Sequence, residues 1–197
     1  VHLNYVAEHG RLPDLNVEMP DYESAQPPLY YLMAGALIAP IDRSNAAELT
    51  RLNPDWHDKS INPNRMHDSV VNLYLPTPDA NWPWQRAALA GHLARFFSAL
   101  LGAVTLLCTY AVSVRLFAEA RARGWISFSS EPAALLAMAG VAFSSKFLYI
   151  SNIISNDNGV AAFSALAIVA ILNRWRELRP RDALLIGLLI GCAVLTK

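Results

Sequence analysis

Asp157 stands in a short polar turn, Ser155-Asn156-Asp157-Asn158, with long apolar runs on either side. A carboxylate in that setting either caps the helix that follows or takes and orients a proton on a hydroxyl. Asn156 is likewise a cap or a substrate contact. Three cations sit at the edge of apolar runs or inside them: Arg95, Lys146 and Lys197. A charge at bilayer depth costs about 2.5 to 3.5 kcal/mol unless it snorkels or finds a partner. A phosphate is one such partner, since Arg and Lys grip it through charge-assisted hydrogen bonds. Snorkelling to headgroups is the plainer account for Lys197, at the end of the sequence, and stands level with phosphate binding for Arg95 and Lys146. Glu23 and Gln26, just ahead of Pro27-Pro28, are candidate contacts for a polar substrate. His2, Tyr5 and His9 share one helical face, which lines a cleft or forms the wet side of an interfacial helix. His57-Asp58 and His67-Asp68 match no standard metal spacing and read as solvated loop. No cofactor is specified; a divalent metal is one option, with its ligands unassigned.

The elements that must position these residues follow from composition. Of 197 residues, 54% are hydrophobic and 16% charged, against roughly a quarter charged in an ordinary soluble domain. That argues against a disordered, collagen-like or coiled-coil chain. A net charge of zero argues against a nucleic-acid binder with a globally basic surface. The zero hides a split: residues 1–86 hold 11 acidic and 6 basic side chains, and residues 87–197 hold 5 acidic and 10 basic. Nearly all long apolar runs lie in the second part. The expected fold is therefore mainly α, a polytopic helical membrane protein with an extracytoplasmic juxtamembrane region over 1–86. Spanning helices are expected at about 92–117, 133–154, 158–175 and 183–197, the last cut short. The charge-free stretch 96–114 is the clearest of them. Cys108 and Cys192 lie in apolar runs and behave as small hydrophobes. Gly187 and Gly191 form a GxxxG, which points to close helix packing.

Orientation follows from arginine. Arg115, Arg121 and Arg123 follow the first span, and Arg174, Arg176, Arg179 and Arg181 lie between the last two. Two crossings separate these clusters, so they share a side, and the positive-inside rule makes it the cytoplasm. The 155–158 turn and residues 1–86 then face outward. In that outer part a short helix is expected at about 3–9, ended by Gly10, and another at 29–41. Thirteen apolar residues are short for a crossing and suit an interfacial or re-entrant helix. Residues 42–86 read as an ordered loop.

With His2-Leu3-Asn4-Tyr5, Gln26-Pro27-Pro28-Leu29-Tyr30-Tyr31, Arg95 opening a span that holds Ser98 and Gly102, Asn156-Asp157 between spans, and Gly187 to Gly191 leading into Leu195-Thr196-Lys197, the sequence resembles the amino-terminal half of a GT-C membrane glycosyltransferase. It is most similar to the bacterial branch near protein O-mannosyltransferases and aminoarabinose transferases, glycosyltransferase family 39. The likeness covers nearly the whole chain except 42–86. It implies a sugar donor linked to polyprenyl phosphate, with hexosyl or pentosyl transfer to an acceptor at the outer face of a bacterial inner membrane. It also implies an acidic catalytic base a few residues ahead of the His2 position. That base would precede Val1, which implies a chain inactive by itself; the opening at Val1 without a signal-peptide pattern and the stop at Lys197 as an apolar run ends also read as an internal fragment. Asp157 would be a second acidic group that orients acceptor or metal. Arg95, Lys146 and Lys197 would hold the donor phosphate, and His2, Glu23, Gln26 and Asn156 would contact substrate.

The expected partners are the lipid-linked donor and membrane lipids, with no nucleic acid. Two alternatives belong to other classes: a transporter or channel subunit, whose path Lys146 and Arg95 would line, and a noncatalytic membrane scaffold. Transporters usually carry inverted repeats and broken helices, and neither is visible in the sequence.

Overall fold

The structure is a computed structural model and describes residues 2–13, 26–53 and 74–197. The expected substrate contact Glu23 and the pairs His57-Asp58 and His67-Asp68 lie outside the described residues. The fold is mainly helical. Its helices are α1 (His2–His9), α2 (Leu29–Ile38), α3 (Ala46–Leu49), α4 (Arg86–Ala122), α5 (Ser130–Ala142), α6 (Ser145–Ser151), α7 (Asp157–Arg174) and α8 (Pro180–Thr196), with a 3-10 turn at Pro78–Ala80. An isolated antiparallel bridge pairs Leu52 with Tyr74.

Two compact units form, one from residues 1–37 with 94–197 and the other from 38–93, a partition different from the expected break at 86/87. In the first unit Val6 of α1 packs on Tyr30, Tyr31 and Ala34 of α2, with Phe97 and Leu101 of α4 against this cluster. The helices approach through glycines. A Cβ at Gly35 would come within 2.8 Å of Val6, one at Gly102 within 2.8 Å of Ser151, and one at Gly159 within 2.5 Å of Thr196. Gly187 and Gly191 meet no such neighbour among the described residues, so the close approach of α7 and α8 falls at Gly159 and not at the GxxxG.

In the second unit buried Asn45 is the tie. Its amide donates to Asp79 at 2.6 Å and its carbonyl accepts the Ala87 N–H at 3.2 Å. Asp42 ion-pairs with Arg86 at 3.6 Å. Arg43 donates to the carbonyls of Ile38, Ala39 and Ile41 at the end of α2, where a cation satisfies free carbonyls and the helix dipole. Trp84 stacks on His92 at 3.6 Å between ring centres.

Helix α4 is the one helix, among the described residues, long and apolar enough to cross a membrane. Its 37 residues correspond to about 55 Å at 1.5 Å per residue, well beyond the expected 92–117. Thr105 and Thr109 turn their hydroxyls onto the carbonyls of Leu101 and Thr105, which removes two free donors from an apolar surface. Gly124, at φ +73, ends α4: Trp125 N–H reaches Ala120 O and Gly124 N–H reaches Arg121 O, both at 3.0 Å, the pattern of a Schellman close.

The expected span 133–154 is not one helix. α5 and α6 meet at a bend of 67°, because Ser144 caps a new helix by accepting the Phe147 N–H. Helices α7 and α8 run antiparallel, with Gly159 at the start of one against Thr196 at the end of the other. Pro180 opens α8, where its missing N–H costs nothing. Helix α2 stops at Ile38, short of the expected 41, and its 10 residues rise about 15 Å, half of a bilayer core.

Candidate functional site

The site is built on the short loop between α6 and α7. Asn156 occupies the cap position of α7, yet its side chain makes no capping bond. Its amide donates instead to Gln26 Oε1 at 2.9 Å, joining the loop to the residue that precedes Pro27-Pro28. Ser155 takes over at the helix start, its hydroxyl accepting the Asp157 N–H at 3.2 Å. Asn158, buried, donates to the Ile150 carbonyl at 2.8 Å and fastens the loop to α6.

Asp157 is the first residue of α7, where a carboxylate also profits from the helix dipole. Its partner is Lys197, at the end of α8, in a short ion pair. The close approach of Gly159 to Thr196 is what brings these two helix ends together. Both side chains remain open to solvent, at 38% exposure for Asp157 and 52% for Lys197, so a ligand can reach the pair.

Below the loop, Tyr30 of α2 bonds its hydroxyl to Ser98 of α4 at 2.6 Å, both residues fully buried. Burial pushes the Tyr30 phenol above its ordinary pKa, against hydrogen bonds from Ser98 and the Ser155 backbone that act the other way. Tyr30 is thus a neutral strut under the loop, not a base.

Of the residues expected from sequence, Gln26, Asn156, Asp157 and Lys197 converge on this loop. The other two expected cations do not join the Asp157 pair. Arg95 lies on α4 and Lys146 is the second residue of α6; both are exposed, with no ion pair among the described residues. Lys146 lies in the apolar run expected as one span, and the structure places it in the first turn of α6, just after the bend at Ser144. His2 opens α1, while Tyr5 and His9 of the same face stack on each other at 4.1 Å. No three His, Cys, Asp or Glu side chains gather as a metal site among the described residues. Tyr30, Ser98 and Asn158 support the loop without having been singled out as site residues. Their one visible sign was polarity inside or beside apolar runs.

Comparison of the chain with known protein families, with curated proteins and with solved structures finds no match.

Proposed function

We propose that the chain belongs to a polytopic membrane glycosyltransferase that moves a sugar from a polyprenyl-phosphate donor to an acceptor at the outer membrane face. The observation that carries this reading is the solvent-open Asp157–Lys197 pair, set beside the Gln26–Asn156 bond at one end of the α7–α8 hairpin. Transfer from a lipid phosphate needs a cation to meet the departing phosphate and a carboxylate to handle the acceptor hydroxyl. Lys197 supplies the first and Asp157 the second, with Gln26 and Asn156 as polar contacts for sugar or acceptor. A membrane setting is supported by apolar surface that water would not favour. Phe96, Leu100 and Leu107 are exposed along α4, and Leu184, Leu188 and Leu195 along α8. Helices α7 and α8, at 18 and 17 residues, are each about 25 Å long, short of a bilayer core, and the proposal has them cross where the bilayer thins locally.

The test is a transfer assay in membranes that express the intact protein, supplied with polyprenyl-phosphate sugars of several kinds. Asp157→Asn is expected to lower kcat about a hundredfold, the cost of a misplaced acceptor. Lys197→Gln is expected to raise the KM for the lipid donor about tenfold, the loss of one charge-assisted bond. Absence of transfer from every donor would overturn the reading. A second reading, transport, is favoured by one observation, the 67° break between α5 and α6, since transporters build their sites on interrupted helices. Substrate uptake into vesicles without sugar transfer would select it.

A further inference from the structure

At the other end of the α7–α8 hairpin, the last turns of α4 and α7 and the residues leading into α8 line an open cleft of about 730 Å³, within the range of small-molecule sites. Five arginines line it: Arg115, Arg123, Arg174, Arg176 and Arg179. Against them stand three carboxylates, Glu119 and Glu177 in the lining and Asp182 beside Arg174. Some of this charge is already engaged. Arg123 pairs with Glu119 at 2.8 Å, Arg174 approaches Asp182 at 3.8 Å, and Arg115 donates to the Leu172 carbonyl at 3.0 Å. Arg176 and Arg179 have no direct ion pair among the described residues; the Arg176 guanidinium lies over the Trp175 ring at 5.6 Å and attracts Glu119 at longer range, and the Arg179 backbone N–H donates to Asp182 at 3.2 Å. Each helix C-terminus carries about half a negative charge, so α4 and α7 together offset roughly one arginine. The surplus is a cationic compartment suited to phosphate.

A second observation separates a lipid from a free anion. An apolar cavity of about 380 Å³ adjoins the first and shares Asn173 and Arg174 with it. Leu166, Val169, Leu185, Ile186 and Leu189 of α7 and α8 line it. An inorganic anion has no use for that groove, whereas an amphiphile fills both compartments. Trp175, largely exposed at the rim, has the character of an interfacial anchor.

We propose that this is a binding site for an anionic phospholipid, its phosphate held by Arg176 and Arg179 and an acyl chain laid along the α7–α8 groove. The proposal rests on the membrane setting of the helices and not on sugar transfer. A protein inactive as a transferase would still be expected to bind the lipid. Basic pockets between membrane helices at the cytoplasmic boundary are a known way of holding such headgroups.

Native mass spectrometry of the detergent-solubilised protein tests it, with dioleoylphosphatidylglycerol and dioleoylphosphatidylcholine titrated separately. Phosphatidylglycerol should be retained at least tenfold more tightly. Arg176→Gln and Arg179→Gln should each weaken that binding about fivefold, from the contribution of one basic residue near an anionic headgroup. Arg121→Gln, a charge in the last turn of α4 but outside the lining, should change it less than twofold. Leu185→Asn should weaken phosphatidylglycerol binding by making the groove polar. Equal retention of the two lipids by the unmodified protein would overturn the proposal, and so would an Arg121→Gln loss as large as that of Arg176→Gln, which marks diffuse attraction. Displacement of phosphatidylglycerol by millimolar inorganic phosphate, with Leu185→Asn silent, would also overturn it in favour of a free-anion site.

Discussion

Tyr30 and Ser98 form a contact whose loss can be measured. Both are fully buried and joined at 2.6 Å, so Tyr30→Phe leaves the Ser98 hydroxyl and the Ser155 N–H without their partner. A buried polar group so stranded costs about 1 to 3 kcal/mol. Denaturant unfolding in detergent should show a loss of that size. Tyr30→Phe/Ser98→Ala should recover part of it, because removing both hydroxyls strands fewer groups than removing one. An unchanged midpoint for Tyr30→Phe would mean that water already reaches the pair. At this scale the sequence was legible in residue type and blind to partnership. Asp157 and Asn156 stood out as polar residues between apolar runs, and Gln26 stood out ahead of two prolines. Nothing in the order of residues says that Asn156 bonds Gln26, 130 positions away, or that Lys197 closes on Asp157. Those pairings depend on helix ends meeting in space.

The ends of the elements meet because the helices have small residues where they cross. At Gly159 the added methyl of alanine would sit 2.5 Å from Thr196 Cγ2, a collision with a buried side chain whose hydroxyl is held on Cys192 O. Gly159→Ala is therefore expected to destabilise the hairpin by about 1 to 3 kcal/mol, the usual cost of overpacking. It should also loosen the Asp157–Lys197 pair. Thr196→Ser removes the offending carbon and keeps the hydroxyl bond to Cys192 O, so Gly159→Ala/Thr196→Ser should regain most of the loss in a thermal unfolding assay. Failure of that rescue would place the strain elsewhere. Helix positions were largely legible from apolar runs, but their limits were not. Polarity ends a span without ending a helix, and α4 continues to Ala122 through residues such as Arg115 and Glu119 that favour helix as well as any. The break before α6 escaped notice because no proline or glycine marks it. A serine side chain, free to cap, is enough.

Across the whole hairpin the charges divide by end. Asp157 and Lys197 lie at one end of α7 and α8. Arg174, Arg176, Arg179 and Arg181 lie at or beyond the other, 18 residues of helix away, or about 27 Å. A bilayer core is about 30 Å thick, so the acidic turn and the arginine-lined cavity fall at opposite boundaries if the hairpin crosses. For a hairpin that crosses, the positive-inside rule predicts that the arginine end faces the cytoplasm. Impermeant thiol labelling of intact cells tests this, after Cys108 and Cys192 are replaced by alanine. Cysteine at Asn152 or Asn81 should react from outside, and cysteine at Arg121 or Arg181 only after the membrane is opened. Labelling of positions 152 and 181 from the same side would mean that α7 does not cross, and the two proposed sites would then share one boundary. Labelling with reversed sidedness would keep the crossing but turn the arginine cavity outward, away from the cytoplasmic leaflet where anionic lipid is concentrated. Only the expected pattern leaves the carboxylate–lysine pair facing an external acceptor and the arginines facing the inner headgroups.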